Sequence, residues 1–172
     1  RRSRPDGTTE VDMNDCLKSS LRMRPDRIIV GEVRGPECAT LLTAMNTGHD
    51  GSFGSLHANT AAETVTRMIN PPMNVPPIML SGLDLIIIQA RLHVKGRTAR
   101  KITEVAEVAG MEGDKPRLNA IWKYDAANDE IAETGIPSKL RERICDAAGV
   151  TPSEFEQHVQ QRMQILNDLV NR

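Results

Sequence analysis

The sequence predicts an α/β fold, built from a parallel strand–helix unit, then antiparallel hairpins, and then a C-terminal helical hairpin. Three observations predict it. Short β-branched runs alternate with helical stretches up to about residue 70, which is the pattern of a parallel sheet. Longer stretches with alternating apolar and polar residues follow, and these are typical of antiparallel strands. Two amphipathic stretches with helix-start signals then occupy residues 136–170.

The parallel unit is predicted from its order of short elements. They are a helix from Met13 to Leu21, a strand at residues 28–30, a helix that opens at residues 35–37, a strand at residues 51–56 and a helix that opens at Thr60. Pro25 prevents the first helix from continuing, and Pro36 is tolerated in the first turn of the second because its missing N–H has no helical partner there. Thr60 and Glu63 have the spacing of a capping box.

The remaining sequence predicts hairpins and a pair of helices. Strands are expected at residues 84–94, 98–108 and 117–124, with a turn at Lys95 and Gly96 and a polar loop at residues 110–116. Apolar residues at helical spacing then predict two helices, the second opened by a capping box from Thr151 to Glu154. We therefore divide the chain into an α/β part, residues 1–125, and a helical part, residues 126–172.

Composition argues against several classes of function. The 22 basic and 23 acidic residues give a net charge of −1, and aromatic residues make up only 2%. Nucleic-acid binders usually carry an excess of basic residues and often stack bases on aromatic rings, so the sequence argues against nucleic acid as a partner. The three scattered cysteines exclude a complete disulfide framework, which is typical of a reducing compartment.

A carboxylate closely follows the first predicted strand. Glu32 comes two residues after Val30, and Arg34 comes two residues after Glu32. In open α/β sheets, ligands bind at the carboxyl ends of strands, where a glutamate can order a water for attack on phosphate and an arginine supplies a planar cation. Taken alone, the same pattern is also that of a surface Glu–Arg pair after a core strand.

A glycine-rich segment at residues 47–59 leads through the second strand and places His57 at its end. Ser55, His57 and Asn59 are expected at the same sheet edge as Glu32, because parallel strands end at one edge. A lone histidine is more often structural than catalytic. The shared glycine-rich context is what makes His57 and His49 candidates for a functional role.

These two segments resemble the signature motifs of one protein family. Residues 21–34 read LRMRPDRIIVGEVR, and residues 47–58 read TGHDGSFGSLHA. The first is similar to the signature of the secretion ATPases, the superfamily of type II and type IV secretion, pilus and archaellum motors, and the second is similar to their His box. Residues 21–60 most resemble the Tad/Flp pilus and archaeal branches, and residues 70–76 favour the archaeal motors.

The resemblance implies a fold and a set of roles. The fold would be the C-terminal part of a RecA-like P-loop ATPase core, a mixed sheet with flanking helices. Glu32 matches the Walker B glutamate that activates the attacking water, and it would also hold Mg²⁺ through a water. His57 matches the His-box residue near the γ-phosphate, Arg34 matches the arginine after Walker B, and Gly31 stands where many P-loop ATPases carry an Mg²⁺-binding aspartate. Gly35 replaces an aspartate of the type II motors, which favours the other branches.

The chain lacks the phosphate-binding loop that such a site needs. No Gly-x-x-x-x-Gly-Lys-Ser/Thr pattern occurs, and residues 110–115 (GMEGDK) come nearest but fail the spacing. In the family this loop and an acidic Asp box precede Walker B, so we expect the chain to be the C-terminal half of the motor domain and to be inactive alone. The sequence leaves open whether Arg1, Arg2 and Arg4 are solvated or reach a phosphate.

As a whole, the resemblance implies an ATP- and Mg²⁺-dependent ATPase that powers protein secretion or filament assembly. It further implies a homo-oligomer, a hexamer, that works at the cytoplasmic face of the membrane with a membrane platform protein. One alternative is a non-catalytic module of a degenerate relative that binds other subunits. Another is a metal-dependent hydrolase that uses Glu32, His49 and His57, although their spacing matches no zinc pattern such as His-Glu-x-x-His.

Overall fold

The computed structural model describes residues 10–94 and 96–171, and two compact units are separated between Gly135 and Ile136. The first unit holds helices, a parallel strand pair and an antiparallel sheet, and the second holds two helices. The predicted mixed α/β class is therefore confirmed. Arg1, Arg2, Arg4 and Lys95 lie outside the described residues.

Five elements of the first unit correspond to the predicted parallel unit. They are α1 (Met13–Leu21), β1 (Ile29–Val30), α2 (Glu37–Asn46), β2 (Phe53–Gly54) and α3 (Ala61–Ile69). β1 and β2 pair in parallel, with Ile29 opposite Phe53. Both strands are shorter than predicted, but a backbone hydrogen bond from Val33 to the Ser55 carbonyl oxygen (2.7 Å) continues the contact beyond them.

Gly54 allows β2 to lie close to its neighbours. A Cβ at this position would lie 2.9 Å from Leu41 Cδ2 on α2 and 3.1 Å from Val33 Cγ2, so a larger residue would push the strand away from the helix. The side chains of Ile29 and Phe53, in contrast, are 64% and 57% exposed. The strand pair therefore packs α2 on one side and presents an apolar surface on the other.

In the first unit, one hydrophobic core joins α1, α2 and α3 to the antiparallel sheet. A 3₁₀ helix, Pro77–Gly82, packs against α2 and against the antiparallel sheet. The members of this core include the buried side chains of Leu17, Leu42, Met68, Val75, Leu80, Ile86 and Ile88. Full burial of each such side chain stabilises the fold by about 1.5–3 kcal/mol before the entropy cost of ordering it.

The antiparallel sheet contains four strands in chain order. They are β3 (Leu85–Val94), β4 (Arg97–Glu112), β5 (Lys115–Asp125) and β6 (Glu130–Glu133). The polar loop predicted at residues 110–116 is wrong, because Glu112 pairs with Lys115 across a tight turn. Gly110 has φ +135° and lies within a register shift of β4, so this glycine accommodates an irregularity inside a strand.

β6 is a strand that the sequence analysis does not predict. The turn before it is fixed by side chains: Ala127 N donates to Asp125 Oδ1 (2.8 Å), and the Tyr124 hydroxyl donates to Asp129 Oδ1 (2.7 Å). These contacts return the chain alongside β5. The first compact unit accordingly extends to Gly135, whereas the sequence analysis divides the chain after residue 125.

The second unit consists of α4 (Lys139–Ala148) and α5 (Pro152–Val170). α4 ends at Gly149, which adopts φ +65° in the left-handed region. α5 begins with the predicted reciprocal capping box of Thr151 and Glu154. No helix within residues 10–94 and 96–171 combines the length and the apolarity needed to cross a membrane.

Candidate functional site

Glu32 lies just beyond the carboxyl end of β1, with Gly31 between it and the strand. Arg34 binds the Glu32 carboxylate through two nitrogens, with Nε donating to Oε1 (2.5 Å) and Nη2 donating to Oε2 (2.6 Å). His57, three residues after β2, places Nε2 3.1 Å from Glu32 Oε1. The structure therefore brings these predicted site residues together at the ends of two paired strands.

The contacts of Glu32 set its protonation state. The hydrogen bond from Arg34 is the largest influence on the pKa of the Glu32 carboxyl and lowers it; partial burial opposes this, and the charges of Arg34 and His57 lower it further. The hydrogen bond to Glu32 in turn raises the pKa of Arg34. Glu32 is therefore ionised at neutral pH, but it accepts a proton less readily than a carboxylate without these partners.

A buried acid, Glu37, fixes the loop between β1 and α2. Its Oε1 accepts hydrogen bonds from the backbone N–H of Arg34 (2.7 Å) and of Gly35 (2.9 Å), and Glu37 is only 7% exposed. A Cβ at Gly35 would lie 3.1 Å from Glu37 Oε2, so a glycine leaves room for this carboxylate. The sequence predicts Glu37 only as part of a helix start, and the acid directly after Gly-Pro is the signal for its position.

Two hydrogen bonds join the segment of His57 to that of Glu32. The Ser55 hydroxyl donates to the Gly31 carbonyl oxygen (2.5 Å), and the backbone N–H of Val33 donates to the Ser55 carbonyl oxygen (2.7 Å). They lock the ends of the two strands in register beyond the regular ladder. The expected meeting of Ser55 and His57 with the Glu32 segment at one sheet edge is thus observed.

His49 and Asn59 take other positions. His49 lies beyond the end of α2, where its Nδ1 is 3.3 Å from the Ala44 carbonyl oxygen, and Asn59 binds Glu63 on α3. Across residues 10–94 and 96–171, no three His, Cys, Asp or Glu side chains form a group that could hold a metal ion. Glu32, His49 and His57 therefore do not come together as the three-residue group that the metal-dependent hydrolase alternative requires.

A cleft of about 250 Å³ opens beside the Glu32 carboxylate. It is lined by Glu32, Val33, Arg34, His57, Arg67 and residues 71–73. Arg67 is not among the site residues predicted from the sequence; it lies on α3 and binds Glu63 Oε1 through Nε (2.8 Å) and Nη2 (2.7 Å). The signal for it was the helical i,i+4 spacing of Glu63 and Arg67 shortly after His57.

The cleft is suited to an anion of phosphate size. Among the described residues that line it are two arginines, one histidine and a single carboxylate. Guanidinium groups match phosphate oxygens in geometry and charge. Its volume is below the range of about 300–1,000 Å³ typical of pockets for whole small-molecule ligands. Glu32 supplies carboxylate oxygens, the ligand type that Mg²⁺ prefers. Because both oxygens contact Arg34, they fit a contact to Mg²⁺ through a water better than direct binding of the ion.

Comparisons with known proteins identify similar chains. MJ1287 of Methanocaldococcus jannaschii, an uncharacterized protein, is 35% identical over 162 residues, which is 93% of this chain and 59% of that protein. The type IV pilus assembly ATPase PilB of Pseudomonas aeruginosa is 42% identical over 86 residues, 49% of this chain and 15% of PilB. The crystal structure of the VirB11 ATPase from the Brucella suis type IV secretion system is 30% identical, with a TM-score of 0.47, and the match covers 56% of this chain and 32% of that one.

The chain spans less than two thirds of the length of each of these relatives. A family model described as "Type II/IV secretion system protein" matches residues 2–163, which include the Glu32 and His57 segments, the whole antiparallel sheet and most of α5. The match extends over far more than half of the 172 residues. This chain belongs to the type II/IV secretion system protein family.

Proposed function

We propose that this chain supplies the water-activating part of an ATPase that powers protein secretion or pilus assembly. The observation that carries the proposal is the cleft in which Glu32, held by Arg34 and His57, lies beside a second arginine, Arg67. A carboxylate among cations is the arrangement that orients water and stabilises charge in phosphoryl transfer. Membership of the secretion family and similarity to the pilus assembly ATPase PilB support the same activity.

In this proposal Glu32 orients a water in line with the γ-phosphorus of ATP. The water oxygen forms the new P–O bond, the bond from the γ-phosphorus to the β–γ bridging oxygen breaks, and ADP and phosphate leave. Glu32 accepts a proton from the water in this step. His57, whose Nε2 lies 3.1 Å from Glu32 Oε1, lines the same cleft, and we assign it the detection of the γ-phosphate.

Arg34 has to release at least part of its hold on Glu32 before the water can bind there. Its side chain is 76% exposed, so it has room to turn. A phosphate group in the cleft competes with the carboxylate for the guanidinium, because both present two anionic oxygens that can accept a pair of parallel N–H bonds. We therefore assign Arg34 two successive partners, Glu32 without nucleotide and a phosphate oxygen with it.

The rest of the nucleotide is held elsewhere in this proposal. The cleft takes the terminal phosphate, and a phosphate-binding loop outside residues 1–172 cradles the others, since the sequence contains no such loop. Mg²⁺, when it is bound with ATP, neutralises phosphate charge. Gly31, which stands where many P-loop ATPases carry an Mg²⁺-binding aspartate, has no side chain for this role. The neighbouring Glu32 would instead hold one of the waters on Mg²⁺.

Assembly into a ring, a hexamer, and docking onto a membrane platform protein at the cytoplasmic face complete the proposal. The family description supports a secretion system as the setting. The exposed apolar side chains of Ile29 and Phe53 on the outer side of the strand pair support packing against further protein. Nothing in the charge balance favours nucleic acid as the partner.

The decisive experiment is Glu32→Gln in a full-length protein that carries this chain. Loss of the water-orienting carboxylate is expected to lower steady-state ATPase activity by about 100-fold or more. Glu133→Gln, at an exposed position on β6, is the matched control and is expected to leave the activity unchanged. Activity of Glu32→Gln within about threefold of the wild type would refute the assigned role.

A second candidate function is a non-catalytic module that binds other subunits of a secretion system. The observation that favours it is the lack of a Gly-x-x-x-x-Gly-Lys-Ser/Thr loop in the 172 residues. The two candidates differ in the parent protein: an intact phosphate-binding loop in the same polypeptide, together with the Glu32→Gln effect, excludes the non-catalytic module.

A further inference from the structure

Two helices of this chain begin with the same sequence pattern, Thr-x-x-Glu, but use the glutamate differently. At α5, Glu154 Oε2 accepts from the backbone N–H of Thr151 (2.7 Å), and Thr151 Oγ1 accepts from Glu154 N (3.2 Å), which is a complete capping box. At α3, Thr60 Oγ1 accepts from Glu63 N (3.0 Å), but the Glu63 carboxylate turns to other partners. The predicted box at α3 is therefore only half formed.

The Glu63 carboxylate joins two groups that lie on either side of it in the sequence. Its Oε2 accepts from the backbone N–H (2.9 Å) and from the side-chain Nδ2 (3.0 Å) of Asn59, and its Oε1 accepts from Nε (2.8 Å) and Nη2 (2.7 Å) of Arg67. The backbone N–H of Ala61 at the helix start is bound by Glu104 Oε2 from β4 (2.9 Å). Capping of α3 thus relies on Thr60 and Glu104, which leaves the Glu63 carboxylate for a different task.

Both partners of Glu63 belong to the cleft or adjoin it. Arg67 lines the cleft, and Asn59 follows His57, another lining residue, by two positions. An isolated i,i+4 ion pair on a helix surface contributes little to stability, so stability alone is a weak reason for this arrangement. Its structural effect is specific: the backbone after His57 and the guanidinium of Arg67 share one carboxylate.

The geometry points to Glu63 as a positioning residue. We propose that it holds Arg67 and the His57 segment as one unit, so that both respond together to a phosphate group in the cleft; this rests on the proposed function. Glu63 binds the Nε and Nη2 side of the Arg67 guanidinium. The Nη1 side carries further N–H donors for an anion, and guanidinium groups bind phosphate oxygens well in this way.

The test uses the 172-residue chain and inorganic phosphate as the probe. Nuclear magnetic resonance follows the Nε–H signal of Arg67 and the backbone amide signal of Asn59 during a phosphate titration in the millimolar range. In the wild type, both signals are expected to shift with the same apparent Kd. In Glu63→Gln, the Asn59 shift is expected to be lost, and phosphate binding at Arg67 is expected to weaken about threefold or more, because a neutral amide cannot serve all four donors.

Glu154→Gln is the matched control because it removes the same charge from the same position of the equivalent sequence pattern at α5. It is expected to leave both phosphate-dependent shifts as in the wild type. If circular dichroism shows that Glu63→Gln does not fold, Arg67→Lys takes its place and is followed through the Asn59 amide signal alone. Because lysine keeps the charge but lacks the fork, the phosphate-dependent shift of Asn59 is expected to be lost in this variant.

Two results would overturn the proposal. One is a wild-type titration in which phosphate does not move the Arg67 signal; the other is a Glu63→Gln variant whose two signals still shift together with unchanged Kd. Neither result depends on ATP hydrolysis. Coupled shifts together with an active Glu32→Gln enzyme would therefore leave the positioning role of Glu63 intact while refuting the proposed hydrolytic role of Glu32.

Discussion

Arg34 occupies both carboxylate oxygens of Glu32, at 2.5 and 2.6 Å, while its own backbone N–H is held by the buried Glu37. A fork-to-fork pair of this kind fixes the orientation of the carboxylate as well as its charge. Glu37 keeps the backbone of Arg34 in place, but the Arg34 side chain is exposed and can change partners. Glu37 therefore holds the loop backbone, and the exposed Arg34 side chain is the part that the proposed chemistry requires to change partners.

Removal of this pair is expected to change the pH dependence of ATP hydrolysis. The hydrogen bond from Arg34 lowers the pKa of Glu32, so Arg34→Ala should let this pKa rise toward its ordinary value. A general base must be deprotonated, and the acid limb of the kcat/KM profile should therefore move to higher pH. Loss of a phosphate ligand should also lower kcat by about tenfold or more at the pH optimum.

The shift of the acid limb is measured by steady-state kinetics of a full-length protein between about pH 4 and 8. This range spans the ordinary pKa of a carboxyl. Arg91→Ala, on the exposed part of β3, is the control and should keep both the limb and the rate. An acid limb that stays in place in Arg34→Ala would show that Glu32 is not the titrating base. Because the folded state lowers the pKa of Glu32, the pair with Arg34 also contributes to the free energy of unfolding in a pH-dependent way. This contribution is present above the unfolded-state pKa of Glu32 and is lost as the pH falls through the lower folded-state pKa.

Glu37 is expected to matter for stability and for the site together. Glu37→Gln keeps the shape of the side chain but replaces charge-assisted hydrogen bonds to Arg34 N and Gly35 N with weaker neutral ones. At a position that is 7% exposed, this should lower the free energy of unfolding by about 1–2 kcal/mol. Urea denaturation of the chain measures the change, with the exposed Glu133→Gln as a control expected to stay within about 0.5 kcal/mol of the wild type.

Equal urea midpoints for Glu37→Gln and the wild type would mean that the loop between β1 and α2 does not depend on the charge of the Glu37 carboxylate. Glu37→Ala then provides a second measurement, because it removes the acceptor altogether and leaves two backbone N–H groups without it. A further result against the interpretation would be a destabilised Glu37→Gln whose Arg34 Nε–H signal is unchanged, since the loop would then not position the guanidinium.

The meeting of Glu32 and His57 could be predicted from the sequence, because each follows a short β-branched or glycine-rich strand and parallel strands end at one edge. The sequence patterns around Glu37 and Arg67 do not specify the roles of these residues, since those roles depend on where long side chains turn after the helices have packed. The same holds for Glu63: its spacing from Thr60 predicts a capping box, but Asn59 and Arg67 compete successfully for the carboxylate.

Local patterns also mislead in the antiparallel sheet. Glycines and polar residues at 110–116 are typical of a loop, yet cross-strand pairing carries β4 and β5 through this segment, and Gly110 absorbs a register shift. β6 has the short sequence Glu-Ile-Ala-Glu, which gives little strand signal by itself. It forms because Asp125 and Asp129 fix the preceding turn through local side-chain hydrogen bonds, which the pattern of apolar and polar residues does not reveal.

The chain alone is expected to bind ATP weakly even with Mg²⁺ present. Backbone N–H groups of a phosphate-binding loop supply much of the affinity of such sites, and no Gly-x-x-x-x-Gly-Lys-Ser/Thr pattern occurs in the 172 residues. The cleft of about 250 Å³ offers Arg34 and Arg67 to a terminal phosphate, but Glu32 and Glu63 compete for both guanidinium groups. Isothermal titration calorimetry should therefore detect no micromolar binding of ATP to the chain, whereas a full-length protein with an intact loop should bind it. Tight stoichiometric binding by the chain alone would contradict this division of the site, because the described cleft would then have to hold the whole nucleotide.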